Sequence, residues 1–156
     1  MPKAQEKAQG PDVDIGRLAG YVGYQIRQAQ TASFRDLAAP LKSLGLTPGE
    51  FSLLTIVRAN PGLRQADLVQ VYGLDKSTLS VAVARLAKRG LIRQRRDAED
   101  RRRQAFDLTA DGVRVLDRAT EIVEDQERRM ADALVPGEAE RLMDMLRRIV
   151  AALDGR

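Results

Sequence analysis

One charged segment, RRDAEDRRRQAFDLT from Arg95 to Thr109, constrains the fold more than any other part of the chain. It is preceded by LIRQR and contains QAFDL, and both pentapeptides have the composition of short β-strands. Phe106 and Leu108 fall on one face of the second strand. The pattern predicts a β-hairpin with the arginines at its tip. Thr109 closes the second strand and is suited to cap a helix, with Asp111 in its first turn.

The positive charge of the chain is concentrated around this hairpin. The 156 residues carry a net charge of +4, and residues 85–103 hold nine Arg or Lys against three acids. That segment therefore carries +6, and the rest of the chain carries −2. A local basic patch predicts binding to nucleic acid or another anionic surface. A membrane surface is the weaker alternative, because the basic cluster does not follow an amphipathic helix.

Three short helices joined by tight turns precede the hairpin. The first starts with Thr47, Pro48 and Glu50, which form a capping box with proline at the first helical position. Residues 64–89 then have the pattern of a helix-turn-helix, with Asp75 as the cap of the second helix.

The second helix of this motif has two different faces. Its polar residues lie near the N-terminus, where a recognition helix approaches base edges: Lys76, Ser77, Thr78 and Ser80. Its apolar face can dock on its own domain and consists of Leu79, Val83 and Leu86. An ordinary amphipathic helix in a bundle is the alternative interpretation. The neighbouring arginine-rich hairpin favours DNA, because aligned arginines can enter a minor groove or hold phosphates.

Longer amphipathic helices flank this motif. The first is predicted from Val13 to Leu44, with a bend or break near Pro40. One long helix follows Thr109, and a last one opens at Pro136. The fold class is mainly α with a small β-hairpin wing, a winged helix-turn-helix plus a helical dimerisation region. The expected parts are a flexible tail (1–11), a dimerisation and ligand-site helix (12–45), a DNA-binding lobe (46–109) and C-terminal dimerisation helices (110–156).

The apolar stripes of the outer helices predict a homodimer. The last helix places six large apolar residues on one side: Leu142, Met145, Leu146, Ile149, Val150 and Leu153. The first helix has a similar stripe. A single winged-helix lobe cannot cover both, and a monomer rarely exposes so large an apolar patch.

Two missing residue types exclude several kinds of chemistry. The chain has no Cys and no His, which excludes disulfides, thiolate nucleophiles, zinc ribbons and serine–histidine catalysis. Carboxylate or lysine catalysis remains, but there is no Gly-rich phosphate loop and no metal-ligand spacing. We therefore expect no enzyme activity, no cofactor and no metal. No apolar run approaches the roughly 20 residues of a membrane span, and the N-terminus MPKAQEKAQGPD lacks a signal-peptide core. We expect a cytoplasmic protein.

The segment GLIRQRRDAEDRRRQAFDLTADG resembles the wing signature of the MarR family of bacterial transcription regulators. The matching positions are Asp97, Asp100, Arg102, Leu108, Thr109 and Gly112. LTPGEFSLL, PGLRQADL, LDKSTLS and LAKRGLI match other landmarks in the family order, so the similarity spans roughly residues 14–153. The resemblance implies an obligate homodimer, a two-fold symmetric operator and release by a small ligand.

The resemblance also implies roles for individual residues. Ser77, Thr78 and Ser80 fall where the family's recognition helix meets DNA, and Arg102 falls at the wing-tip arginine that enters the minor groove. Asp100, with Asp97, falls where acids shape the wing. Arg64 departs from the family's Ser or Thr cap, and we expect it to contact phosphate instead. The full set of expected DNA contacts is Arg64, Gln65, Lys76, Ser77, Thr78, Ser80, Arg85, Arg101, Arg102 and Arg103.

A ligand site is expected near the first two helices, between them, the fifth helix and the DNA-binding lobe, as in the family. Four of the six aromatic residues lie there with one candidate arginine, giving the set Tyr21, Tyr24, Arg27, Phe34 and Phe51. Arg17 and Arg35 are alternatives to Arg27. Arginine can hold a carboxylate through two hydrogen bonds, so the expected effector is an aromatic acid or its coenzyme A thioester. The alternatives are that these rings only pack in the core, and that the protein binds DNA constitutively, without a ligand.

Overall fold

The computed structural model describes residues 13–72, 76–96 and 104–155, so the predicted tail lies outside the described residues. The described residues form a 3-10 helix (Gly16–Gly20), six α-helices and three strands. The helices are α1 (Val22–Ser43), α2 (Pro48–Ala59), α3 (Gln65–Tyr72), α4 (Lys76–Lys88), α5 (Ala110–Asp132) and α6 (Glu138–Asp154). The strands are β1 (Leu63–Arg64), β2 (Ile92–Arg96) and β3 (Gln104–Leu108).

The start of the first helix differs from the sequence-based expectation. The predicted continuous helix is interrupted at Tyr21, whose backbone is extended (φ −92°, ψ 124°), and α1 begins only at Val22. Glycines at 16, 20 and 23 weaken helix continuity here, because glycine loses the most backbone freedom in a helix. A bend or break was predicted near Pro40; α1 runs through Pro40 to Ser43, so the helix is not broken there. Pro40 lies in the last turn, where little helix remains to be disturbed.

The end of α1 and the start of α2 match their sequence signals. Thr47 Oγ1 accepts a hydrogen bond from the Glu50 backbone at 3.2 Å, and the Glu50 carboxylate accepts one from the Thr47 backbone at 3.0 Å. This confirms the predicted capping box of α2. At the end of α1, Leu46 N–H donates to the Leu41 carbonyl at 2.9 Å, past Gly45 at φ +68°. This is a Schellman ending, in which glycine takes the left-handed conformation.

A single apolar core lies beneath the wing and the short helices. The predicted docking face of α4 is confirmed, with Leu79 and Leu86 fully buried and Val83 nearly so. Phe106 of β3 is also fully buried. Fully buried side chains from the other elements complete this core: Leu41, Leu53, Leu54, Leu68 and Leu116.

The wing is part of a three-stranded antiparallel sheet, ordered β1-β3-β2. The hairpin of β2 and β3 is confirmed, with Ile92 paired to Leu108 and Arg96 to Gln104. The third strand, β1, was not predicted. It consists of Leu63 and Arg64 and joins the far edge of β3. We call these three strands the wing sheet.

The long helix α5 connects the wing sheet to α1. Its N-cap Thr109 accepts a hydrogen bond from the Gly112 backbone at 2.9 Å, as predicted. A side chain at Gly112 would place Cβ 1.9 Å from the Leu91 carbonyl oxygen, so this close approach requires glycine. Towards its other end, buried Gln126 donates to the Ser33 carbonyl at 3.0 Å and to the Asp36 carboxylate at 2.9 Å.

The last helix has no apolar cover in a single chain. All of α6 is described, and none of its residues is buried. Leu142, Met145 and Val150 are 43%, 48% and 57% exposed. The described helices include none long and apolar enough to cross a membrane.

Candidate nucleic-acid interface and ligand-facing surfaces

The N-terminal part of α4 presents polar side chains above a buried apolar face. Ser77 and Thr78 are exposed, whereas Ser80 is half-buried. The Gln65 side chain at the start of α3 donates to Ser80 Oγ at 3.1 Å and so ties the two helices of the motif together. Lys76 begins α4 as predicted. The helix-turn-helix therefore holds a short polar surface in a fixed orientation, which is what contact with base edges requires.

The tip of the wing lies outside the described residues. This applies to Asp97, Asp100, Arg101, Arg102 and Arg103, whose expected roles stay predictions. The two strands that lead to and from the tip are in place.

Arg64 belongs to the wing sheet, at the junction with α3. It forms the end of β1, pairs with Ala105 and is half-buried. The strand places its side chain at the edge of the helix-turn-helix, immediately before Gln65. A phosphate contact from this position stays a prediction.

Arg85 has a structural partner at the start of α2. Its Nε donates to Glu50 Oε1 at 2.5 Å and its second terminal nitrogen lies 2.5 Å from Glu50 Oε2. Burial of Glu50 opposes ionisation, but hydrogen bonds from Arg85 and Thr47 outweigh it and hold the carboxyl pKa below its ordinary value. Arg85 therefore clamps α4 to α2, and its expected DNA contact stays a prediction.

Sequence patterns did not reveal Asp107 as a site residue. Asp107 of β3 accepts a hydrogen bond from Arg95 Nε at 2.5 Å and another from the Gly62 backbone at 2.8 Å. The Arg95 hydrogen bond is the main reason that the pKa of Asp107 lies below its ordinary value. The sequence shows only an acid within a strand that follows several arginines. The role of Asp107 becomes visible when the fold brings the Gly62 backbone beside β3.

The expected ligand residues lie on several surfaces of the described part of the chain. Tyr24 and Arg27 lie together on α1, with the guanidinium carbon 5.6 Å from the ring centre. Phe34 is half exposed, and its spacing of seven residues from Arg27 places it on the same side of α1. Phe51 of α2 is half-buried and packs against the core.

Tyr21 lies on another surface, an apolar groove of about 580 Å³ between the start of α1 and α6. Its lining includes Val22, Ile26, Leu142 and Leu146. Phe51 therefore packs in part as the core alternative expected. Of the other members of the set, Tyr21, Arg27 and Phe34 are exposed and Tyr24 is half-buried.

Comparison with known proteins agrees with this architecture. Residues 44–103 match the model of the MarR family. The chain is 33% identical over 135 residues to a putative transcriptional regulatory protein for the hcr operon of Thauera aromatica, covering 86% of this chain and 81% of that protein.

Solved structures of repressors superpose closely on the chain. The transcriptional repressor CouR bound to a 23-mer DNA duplex is 30% identical, with a TM-score of 0.82 over 89% of this chain and 99% of CouR. CouR is also known bound to p-coumaroyl-CoA, at 28% identity and a TM-score of 0.81, covering 89% and 98%. The PcaV regulator of Streptomyces coelicolor with its natural ligand is 30% identical, with a TM-score of 0.80 over 90% and 99%.

The fold, the helix-turn-helix and wing sheet, and these similarities agree with the resemblance found in the sequence. The chain belongs to the MarR family of transcriptional regulators.

Proposed function

We propose that this regulator is a homodimeric, sequence-specific repressor released from DNA by a small anionic aromatic ligand. The observation that carries the DNA-binding part is the exposed polar start of α4, fixed to α3 and to a buried apolar face. The flanking wing sheet adds arginines for the phosphate backbone. Two such lobes related by a two-fold axis would meet half-sites about 10 bp apart in an inverted repeat.

The dimer rests on the uncovered apolar faces. Leu142, Met145 and Val150 of α6 are about half exposed, and Leu18 and Val22 near the start of the chain are 45% and 63% exposed. Contact with a second copy removes this apolar surface from water, which stabilises the assembly by roughly 25 cal/mol per Å². We place dimerisation in residues 12–45 and 110–156 and DNA binding in residues 46–109.

The ligand proposal rests on α1 and on the related repressors. CouR binds p-coumaroyl-CoA and PcaV binds a natural ligand, and both are about 30% identical to this chain. Tyr24, Arg27 and Phe34 present a cation between two rings on one side of α1. A carboxylate or phosphate on an aromatic ligand would pair with the guanidinium, and the rings would cover its apolar part. Tyr21 and Phe51 would border this surface in the assembled protein.

The residue composition limits other triggers. Without Cys, a disulfide or sulfenate cannot release the protein, and without His no side chain has an ordinary pKa near neutrality. A ligand acts through its differential affinity for the DNA-bound and released arrangements.

Selection from a random 30-bp duplex library tests DNA recognition directly. We expect an inverted repeat bound with a dissociation constant on the order of 10⁻⁸ to 10⁻¹¹ M. Selection of a single unsymmetrical half-site would contradict the two-fold arrangement. In the selected duplex, Arg102→Ala should weaken binding most where A·T-rich flanks narrow the minor groove.

Competition with hydroxycinnamate, benzoate, salicylate and their thioesters tests the switch. We expect one of these classes to displace the selected duplex, and Arg27→Ala to weaken ligand binding more than DNA binding. Arg58→Ala is the matched control, because Arg58 lies on α2 and pairs with Asp117 of α5. Binding to DNA with no displacement by any of the compounds at millimolar concentration would favour the constitutive alternative.

A further inference from the structure

The outer face of the wing sheet carries arginines that belong neither to α4 nor to the wing tip. Arg64 of β1 and Arg95 of β2 both pair with Ala105, which lies between them on β3. Directly opposed residues in antiparallel strands point to the same face, so both arginines lie on the face opposite buried Phe106. Arg93 is two residues from Arg95, shares this face and is 69% exposed. We call Arg64, Arg93 and Arg95 the arginine strip.

A buried alanine, Ala105, lies between two arginines of the strip. Ala105 is only 1% exposed, although its side chain points away from the core. Arg64 and Arg95 flank it on the two neighbouring strands. Arginine stems commonly lie along apolar surface and leave the charged group in water.

Asp107 fixes the charged end of Arg95. Its carboxylate is 13% exposed and accepts from Arg95 Nε at 2.5 Å, from the Gly62 backbone at 2.8 Å, and lies 3.9 Å from Arg93 Nε. Gly62 has φ +78°, and a Cβ there would lie 2.9 Å from a terminal nitrogen of Arg95. The guanidinium therefore lies over a glycine that leaves room for it, while 46% of the side chain stays exposed.

The charge on this face is unbalanced. Among the described side chains of this face, Arg93 and Arg95 share one acid, Asp107, which leaves an excess of one positive charge at this point. A guanidinium whose Nε is already held still offers its terminal N–H groups in a fixed plane, which suits a phosphate. Fixing it before DNA arrives also reduces the entropy lost on binding.

We infer that the arginine strip is an additional binding surface for the DNA phosphate backbone, and that Asp107 is a positioning residue that orients Arg95 for it. The inference depends on the proposed DNA-binding function. It extends the interface from the wing tip to the base of the wing and adds Arg93, Arg95 and Asp107 to the residues that the sequence indicated.

The variant Asp107→Asn separates positioning from simple charge. Removing an acid from a DNA-facing surface should tighten binding if only net charge matters. If Asp107 positions Arg95, the variant should instead bind DNA about tenfold more weakly, both on the selected duplex and on unrelated DNA, because phosphate contacts carry no sequence information. Asp144→Asn is the matched control: it makes the same charge change in an exposed pair with Arg148 on α6, at 3.6 Å, and should not weaken binding.

Arg95→Ala should also weaken binding about tenfold and lower the salt dependence by about one unit per half-site. The double variant with Asp107→Asn should be no weaker than Arg95→Ala alone, because both remove the same contact. Fluorescence anisotropy over a salt series measures these effects, and thermal melting verifies the fold. If Asp107→Asn does not fold, Arg95→Lys carries the test, since it keeps the charge and loses the planar fork.

Unchanged or tighter DNA binding by folded Asp107→Asn would overturn the positioning role. Full affinity and an unchanged salt slope in Arg95→Ala would overturn the strip itself, and full affinity in Arg95→Lys would overturn the need for a positioned planar guanidinium. These outcomes differ from failure of the proposed function, in which the wild-type protein would select no sequence from the duplex library.

Discussion

The DNA-binding lobe and α6 differ in how far their apolar side chains are buried within a single chain. In the lobe, Phe106, Leu79 and Leu86 are fully buried by neighbours from the same chain. In α6, Leu142 and Leu146 are 43% and 37% exposed, and no residue of this fully described helix is buried. One region therefore completes its core within a single chain, whereas the other requires a second surface. Stability of the lobe should not depend on protein concentration, and stability of α6 should.

The largest effect is expected from Phe106→Ala, at the centre of the lobe. Removing a fully buried ring leaves a cavity and costs about 3–5 kcal/mol of unfolding free energy. The loss should be the same at all protein concentrations in chemical denaturation. The same substitution at half-exposed Phe34 is the control and should cost much less. Equal losses at both positions would contradict the burial difference.

Leu146→Glu tests the other side of the comparison. A carboxylate within the apolar stripe of α6 should raise the dimer dissociation constant on the order of a hundredfold or more, because an unpaired charge is costly in an apolar interface. Analytical ultracentrifugation over a concentration series measures this shift. Arg147→Gln changes the net charge by the same amount on the neighbouring position and should leave the dimer intact. A wild-type protein that is monomeric at micromolar concentration would refute the dimer.

Gln126→Ala should act at the junction between the two regions. Gln126 is 4% exposed and bonds to half-buried Ser33 and exposed Asp36 of α1, so its loss removes the hydrogen bonds that join α5 to α1. We expect a loss of about 1–3 kcal/mol in denaturation. Gln28→Ala on the exposed side of α1 should change stability by less than about 0.5 kcal/mol. If both variants behave alike, the junction does not contribute to stability.

The smallest effect is expected from Glu50→Gln, which tests the clamp between α2 and α4. The pKa of Glu50 is lowered in the folded protein, so its contribution is present above the unfolded pKa and is lost as pH falls through the folded pKa. The variant should lose about 1 kcal/mol at pH 7, and its stability should decline less steeply than that of the wild type as pH falls below about 4.5. Glu127→Gln on exposed α5 should keep the wild-type slope. Parallel profiles for wild type and Glu50→Gln would contradict the clamp.

Local signals predicted the elements of the lobe, because each depends on neighbouring residues. Thr47 and Glu50 are three residues apart and form the capping box that this spacing indicates. The alternation of Phe106 and Leu108 likewise placed β3 on the core.

Contacts between distant residues could not be predicted in the same way. β1 has only two residues, too few to show the alternation that predicts a strand. The hydrogen bond between Gly62 and Asp107 depends on this strand, so it could not be predicted either. Gln126 looked like part of a polar helix face until α1 was placed against it. The arrangement of the expected ligand residues could not be predicted either: Tyr21 lines the groove between the start of α1 and α6, whereas Arg27 lies beside Tyr24, and aromatic content alone does not reveal this.

The close contact of Gly112 with Leu91 couples one end of the long helix α5 to the start of the wing sheet. This end of the helix packs directly against the Leu91 backbone, immediately before β2, with no side chain between them. The other end is held to α1 at Gln126. With 23 residues, α5 is about 34 Å long, and a tilt of about 5° displaces its far end by roughly 3 Å. In the proposed repressor, a displacement of that size is about a quarter of the width of the DNA major groove, so a small tilt of α5 would change how the DNA-binding lobe fits its half-site.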